Sequence, residues 1–447
     1  MTLLPRFRRI GITGSSLSGK SVFLLSLINH LERGQLDVSL NRKIPGGCVS
    51  RFRKLPLLGG TNRSEFPYDL LRHNLAVGKW PQRTTDHGFY RCRFQRPNSR
   101  LHGYDEIEFF DFPGERMADV IMFDADYEAW SDHVWASIVN APEKKKFANN
   151  FLHLVQSDAP QPAKLVDAYK LVLAALINDC QPLISPSTFL LNQEGGRARG
   201  KSISEIAEGR LAGIQNAEFV PLPQDVRDRF PKLKAEFNGR YDLYKKTVVI
   251  PFQQHLSKCH RLVYLIDVAD VLASGPMKLN DASDMVGALF SYLEPTRGMI
   301  PRTTRGAVNL LGSIVGRRLG CIDGIAFVAS QADRVHQDDR DRLVSLIKDL
   351  VGNYPRNHGF HSLDYFYCAA VRSTRSTEKH GLVGRMANDS DVSEKQSTVP
   401  KVPEKWPHEW KAEDYKSFSN WHPRVSTVWN QPPEHLNLDV IMRFILK

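Results

Sequence analysis

The chain of 447 residues has little cysteine: Cys48, Cys92, Cys180, Cys259, Cys321 and Cys368 stand far apart and form no CxxC pair. That excludes a spaced zinc framework and a disulfide-stapled secreted scaffold, and leaves free, mostly buried thiols as the expectation. Long apolar runs are missing as well; none approaches the ~18–20 residues of a membrane span. The opening Met1-Thr2-Leu3-Leu4-Pro5-Arg6-Phe7-Arg8-Arg9 lacks the apolar stretch and small-residue cleavage site of a secretory signal, so a soluble cytoplasmic protein is expected. No sustained repeat and no nucleic-acid motif are found. Lys and Arg number 60 against 49 Asp and Glu, a net charge of +11, but the bases are dispersed and no aromatic residues interleave them. A solvated surface that steers anions is the reading that follows. With 42% hydrophobic and 24% charged residues, the chain is globular and has room for two or three units, or for one core with a large insertion.

The strongest chemical signal lies near the start. Arg8-Arg9-Ile10-Gly11-Ile12-Thr13 reads as a short strand, Val22-Phe23-Leu24-Leu25-Ser26-Leu27-Ile28-Asn29-His30-Leu31 as a buried helix. Between them stands Gly14-Ser15-Ser16-Leu17-Ser18-Gly19-Lys20-Ser21, the GxxxxGK[ST] pattern in the strand–turn–helix setting it requires. Glycines let backbone amides close around phosphate oxygens, and the helix N-terminus favours negative charge. Lys20 then pairs with the β- and γ-phosphates, and the Ser21 hydroxyl ligates Mg²⁺. The pattern recurs at Gly195-Gly196-Arg197-Ala198-Arg199-Gly200-Lys201-Ser202, but the polar Asn192-Gln193-Glu194 before it and the glycine-interrupted stretch 203–209 after it make a poor strand and a poor helix. That second match reads as a solvated loop.

A phosphate loop needs a carboxylate at the end of a neighbouring strand. Ile107-Glu108-Phe109-Phe110-Asp111-Phe112-Pro113-Gly114 ends in DxxG; Asp111 is expected to reach the metal through water, and the Gly114 amide to face the γ-phosphate. In the stretch Trp80-Pro81-Gln82-Arg83-Thr84-Thr85, Thr84 is the favoured metal-sensing threonine. Ser330-Gln331-Ala332-Asp333 follows a buried strand as an imperfect [NT]KxD, and Asp333 can accept both N1–H and N2–H₂ of guanine, a fork adenine does not offer. Ser330 stands where Asn or Thr is usual and Gln331 where Lys is usual, which loosens affinity or selectivity. Ala369 and Ala370, with Val371 after them, end another strand and are placed to offer a backbone amide to guanine O6. Glu115 follows DxxG: a carboxylate accepts from water but cannot donate to a phosphate oxygen, so slow intrinsic hydrolysis is expected. Arg116 and Arg83 are candidates for charge supplied in cis.

The strands 8–13, 88–95, 104–110, 261–267, 322–328 and 363–369 interleave with helical stretches, the pattern of an α/β fold with a mostly parallel sheet covered on both faces. Asp267 reads as a strand-end turn residue. Segments 126–139, 163–177 and 232–258 are helical and no strand interrupts 115–256, an all-helical insertion entering directly after Gly114. The nucleotide-binding domain is then discontinuous, 1–114 with 257–447, and carries a loop-rich insertion at about 32–79; 373–434 looks irregular, and 438–446 returns to helix.

Gly14 to Ser21, Trp80-Pro81-Gln82-Arg83-Thr84, Asp111-Phe112-Pro113-Gly114-Glu115, Ser330-Gln331-Ala332-Asp333-Arg334-Val335, Cys368-Ala369-Ala370-Val371-Arg372 and the closing Leu436-Asn437-Leu438-Asp439 together resemble the YcjX-like family of bacterial stress-associated P-loop proteins. The resemblance implies a Ras-like nucleotide domain with an inserted helical domain, GTP and GDP as ligands with Mg²⁺, and a role in cell-envelope or general stress. It also implies an effector that is a membrane-associated stress protein, with peripheral association at the inner membrane. Gln331 departs from the family's Lys. Two other readings stay open from the residues alone: an ATP-using enzyme of the small-molecule kinase type, and a nucleotide-stabilised scaffold that does not turn over, which Glu115 favours.

Overall fold

The structure, a computed structural model, describes residues 6–15, 18–36, 48–58, 63–80, 88–96, 104–112, 114–178, 185–186, 202–207, 218–293, 322–352, 362–384, 393–420 and 431–447. The second GxxxxGK[ST] match lies outside the described residues except for the exposed Ser202, as do Ser16, Leu17, Thr84, Thr85 and Arg83. Contacts divide the chain into two compact units: residues 1–114, 257–283 and 293–447 form one, and 115–256 with 284–292 the other. Among the described residues, no helix is long and apolar enough to cross a membrane.

The first unit is built on a seven-stranded sheet. Its strands are β1 (Arg6–Gly14), β2 (Ser50–Lys54), β3 (Gly88–Gln95), β4 (Asp105–Asp111), β5 (Arg261–Ile266), β6 (Gly324–Ala329) and β7 (Ser362–Tyr367), in the order β2-β3-β4-β1-β5-β6-β7. Pairing is parallel from β4 through β1, β5 and β6 to β7, and antiparallel at β2–β3 and β3–β4. All six residues of β5 and of β6 are buried, the continuous apolar runs that parallel strands covered on both faces must have.

Helix α1 (Lys20–Glu32) and the C-terminal Leu438–Leu446 pack into one core with the sheet: Leu24, Leu27 and Ile28 meet Ile10, Ile12, Ile107 and Phe109, and Ile441, Met442 and Ile445 complete the cluster. Each such side chain, once buried, contributes roughly 1.5–3 kcal/mol. The last carbonyls of the C-terminal helix accept from three β-strand arginines, Arg6 on Lys447 O (2.7 Å), Arg8 on Ile445 O (2.6 Å) and Arg261 on Phe444 O (2.6 Å). Cations at that end also meet the helix dipole. Just before this helix, Pro433 O accepts from His30 Nε2 of α1 at 2.8 Å, and the His30 and His435 rings stand edge to face, 4.6 Å apart.

Two stretches differ from the sequence reading. The segment 32–79 contributes the edge strand β2 and helix α2 (Tyr68–Ala76), and 373–434 contains a small antiparallel sheet of β8 (Thr374–Ser376), β9 (Gly381–Gly384) and β10 (Lys395–Thr398), with a helix at Ala412–Asn420. The physical reason is shared. These strands run three to five residues and β2 and β10 are almost wholly exposed, so no apolar alternation announces them.

The second unit is helical in its described residues. It holds α3 (Tyr127–Val139), α4 (Pro142–Val155), α5 (Pro162–Asn178), α6 (Ile203–Ala207), α7 (Gln224–Arg229), α8 (Pro231–Tyr244) and α9 (Ile250–Ser257). Asp126 caps α3 by accepting from Ala129 N–H at 2.8 Å. Trp130, Phe219, Tyr127 and Tyr241 pack as an aromatic cluster, centroids 4.9–6.0 Å apart. Between α8 and α9 the helix passes through a π-turn, Lys245–Val249. Pro251 explains it: without an N–H it cannot close the bond to Thr247 four residues back, and the ring displaces that carbonyl.

Candidate nucleotide site

Strand β1 delivers the chain to Gly14, whose φ is +140° and where a Cβ would lie 2.0 Å from Leu265 O on β5. Only glycine fits so close a strand-to-strand approach. The turn is pinned by Ser15 N–H on Leu265 O (3.2 Å) and by Ser18 Oγ on Ser15 O (2.8 Å), and Gly19 at φ +82° opens α1. Phe23 N–H already bonds Gly19 O at 2.8 Å, so the N–H groups of the first helical turn face the loop. Lys20, 7% exposed, turns its ammonium back onto Ser15 O at 2.7 Å. The loop is thus held closed on its own lysine.

Asp111, at the end of β4, accepts from Ser21 Oγ at 2.9 Å. One hydroxyl beside one carboxylate is a hard-oxygen donor pair of the kind Mg²⁺ takes when phosphates and waters supply the rest of its octahedron. The residues present therefore fit the metal. Gly114 begins a nine-residue 3₁₀ segment, Gly114–Met122, to which Glu115 belongs.

At the C-terminal end of β6, Ser330 N–H bonds Ile266 O at 2.9 Å while its hydroxyl is buried with no partner among the described residues. Gln331 adopts the left-handed conformation (φ +55°), rare for a side chain other than glycine. Its Cγ lies 3.9 Å from where a Cβ on Gly19 would be, so the stem runs beside Gly19. Its amide donates to Asp267 Oδ2 (2.8 Å) and accepts from Arg334 Nη1 (3.0 Å), which also pairs with Asp267 at 2.8 Å. Burial raises the Asp267 carboxyl above its ordinary range, against the pull of Arg334. Asp267 is the N-cap of a helix, Val268–Ser274, consistent with a strand-end residue, and in addition holds Gln331 in place.

Asp333, 4% exposed, accepts with Oδ2 from both Ser373 N–H (3.0 Å) and Ser373 Oγ (2.6 Å). No described residue bonds its Oδ1. In the neighbouring loop the Ala369 amide is committed to Leu436 O at 3.2 Å, and Leu436 returns a bond to Ala369 O at 2.8 Å. The Ala370 and Val371 amides bond no described residue, and Ala370 O accepts from Ser26 Oγ of α1 at 2.5 Å. The structure therefore brings Gly14, Ser15, Ser18, Gly19, Lys20, Ser21 and Asp111 to one end of β1, β4 and α1. Gln331 approaches Gly19, Asp333 is held by Ser373, and the 369–371 loop is tied to α1 through Ser26. Sequence reasoning missed Ser373, Arg334 and the positioning part played by Asp267. Arg334 was findable, three residues after Gln331; Ser373 carries no local signal.

A mainly parallel sheet whose first strand runs into a glycine turn onto which Lys20 folds back, with a Ser–Asp pair beside it, is the arrangement of the P-loop α/β class. The model of the YcjX-like family, DUF463, matches residues 8–447, and the chain belongs to that family. Its similar proteins include the Ras-like GTPase YcjX of Escherichia coli (strain K12), 23% identical over 483 aligned positions that take in 99% of this chain and 96% of that protein. The Ras-like GTPase YcjX of Shewanella oneidensis is 26% identical over 419 positions, 87% of this chain and 80% of that protein.

Proposed function

We propose that this chain binds GTP and GDP with Mg²⁺, hydrolyses GTP slowly, and works as a switch for an effector protein in a bacterial stress response. The observation that carries the proposal is the lysine-closed turn of Gly14, Gly19 and Lys20 with Ser21 against Asp111. Both named relatives are Ras-like GTPases. A triphosphate replaces Ser15 O as the partner of Lys20, a stronger, charge-assisted contact. Ser21 and Asp111 would hold Mg²⁺, which when bound neutralises charge developing on the β- and γ-phosphate oxygens. Thr84, placed by sequence alone, is the second metal-sensing hydroxyl, and Gly114 and Glu115 follow Asp111 where the γ-phosphate is read. Base recognition falls to Asp333 through Oδ1, to the Ala370 and Val371 amides rather than that of Ala369, and to the stem of Gln331.

One observation favours a weaker guanine preference: Ser373 already fills both acceptor directions of Asp333 Oδ2, so a bidentate grip on guanine needs Ser373 to give way. Single-turnover phosphate release from labelled GTP with Mg²⁺ is the test. Release slower than about 10⁻² s⁻¹, abolished by Lys20→Ala, is expected. Bound GTP that is never cleaved would instead support a scaffold, and equal cleavage of ATP a kinase-like enzyme.

A further inference from the structure

Asp119 lies in the 3₁₀ segment that starts at Gly114, yet its carboxylate is 1% exposed and belongs to the helical unit's polar core. Oδ1 accepts from Ser185 Oγ at 2.9 Å and Oδ2 from Tyr244 OH at 2.7 Å. Ser185 Oγ accepts in turn from Trp130 Nε1 (3.0 Å), and Ser185 O from Tyr169 OH (3.0 Å). The Trp130, Tyr169 and Tyr244 rings are fully buried, so these contacts are made out of water, where a hydrogen bond is stronger than at the surface. Packing alone does not call for a carboxylate in such an aromatic core, because its desolvation is costly. What the carboxylate adds is direction: Asp119 cannot shift without carrying Tyr244 and Ser185.

Tyr244 is also the residue at which α8 enters the π-turn Lys245–Val249. One more tie closes the same corner, since Tyr241 OH and Lys245 Nζ both donate to Ala125 O, at 2.9 and 2.7 Å. The chain enters the helical unit at residue 115 and leaves it at 256, and the two ends of that excursion are thereby joined, the 3₁₀ segment to the helix that leads back to β5. A π-turn in a continuous helix marks a place where hydrogen-bond register can change.

We propose that Asp119 is a positioning residue of the phosphate-sensing segment: it clamps residues 114–122 to helix α8 beside the π-turn, so that nucleotide state is read at 231–257 as well as at Gly114. The inference rests on the guanine-nucleotide reading above. Its test is hydrogen exchange on the full chain with GDP–Mg²⁺ and with a non-hydrolysable GTP analogue and Mg²⁺, for the native chain, Tyr244→Phe and Asp119→Asn, with fluorescent-GDP binding measured in parallel. In the native chain, peptides over 114–125 and 231–257 change exchange rate together by at least about threefold between the two nucleotides. In Tyr244→Phe, which keeps the ring and removes the donor, the change at 114–125 persists and that at 231–257 is lost. Retention of the change at 231–257 in Tyr244→Phe overturns the clamp. So does its absence from the native chain, a comparison that stands even if neither variant folds. A chain that binds no fluorescent GDP is distinguishable, since it removes the nucleotide reading and the clamp with it.

Discussion

His30 makes acid the sharpest perturbation of the nucleotide unit. Its Nε2–H serves Pro433 O, its Nδ1 is buried with no partner among the described residues, and burial with the facing His435 pushes its pKa down from 6.5 to about 4. His435 is itself shifted down by burial, against Asp439, and the influence opposing the shift of His30 is its bond to Pro433 O. The unfolded chain binds this proton near pH 6.5 and the folded chain only near 4, so stability falls as pH drops through that window and levels off below it. At pH 5 the loss relative to pH 7.5 is about 2 kcal/mol, and about 3 kcal/mol once the window is crossed. His30 is 4% exposed, so screening does not discount the figure. Urea unfolding of the native chain and of His30→Gln at pH 7.5 and 5.0 reads it, because glutamine keeps a donor for Pro433 O but does not titrate. The native chain loses about 2 kcal/mol more than the variant between the two pH values. Equal losses, within about 0.5 kcal/mol, would refute the reasoning.

Gly14→Ala forces a Cβ onto Leu265 O at a φ alanine rarely adopts, and is expected to lower the urea stability of the unit by more than about 3 kcal/mol, beyond the usual range of single substitutions. Ser373→Ala removes the hydroxyl but keeps the backbone N–H, opening one of the two filled acceptor directions of Asp333 Oδ2, so GDP affinity rises about three- to tenfold in competition binding while ADP affinity is unchanged. Ser21→Ala leaves metal-free GDP binding near the native value and raises the Mg²⁺ concentration needed for tight binding about tenfold, read in an Mg²⁺ titration.

Much of the parallel sheet was legible, because β5 and β6 carry apolar runs that only a covered strand tolerates and β1 and β4 carry short apolar stretches just before Gly14 and Asp111, and the residue ranges differ by no more than two positions. The glycine turn was legible for a different reason: glycine at 14 and 19 and lysine at 20 are each demanded by backbone geometry or charge. Strand β2 was not. Ser50–Lys54 presents Arg51, Arg53 and Lys54 outward and exists through its pairing with β3, a long-range fact with no local signature. The short strands β8 to β10 were hidden in the same way. The candidate base site was half legible: Asp333 follows the buried β6 and the alanine pair the half-buried β7, but the hold of Ser373 on Asp333 and of Leu436 on Ala369 joins residues forty or more positions apart.

Calorimetric titration of the native chain and of Lys20→Ala with GDP and with ADP, each with Mg²⁺, tests the central claim most directly. The account predicts that the native chain takes up one GDP, prefers it to ADP, and loses that binding when the Lys20 ammonium is removed. A native chain that takes up neither nucleotide, or a Lys20→Ala chain that binds GDP as tightly as the native one, contradicts it.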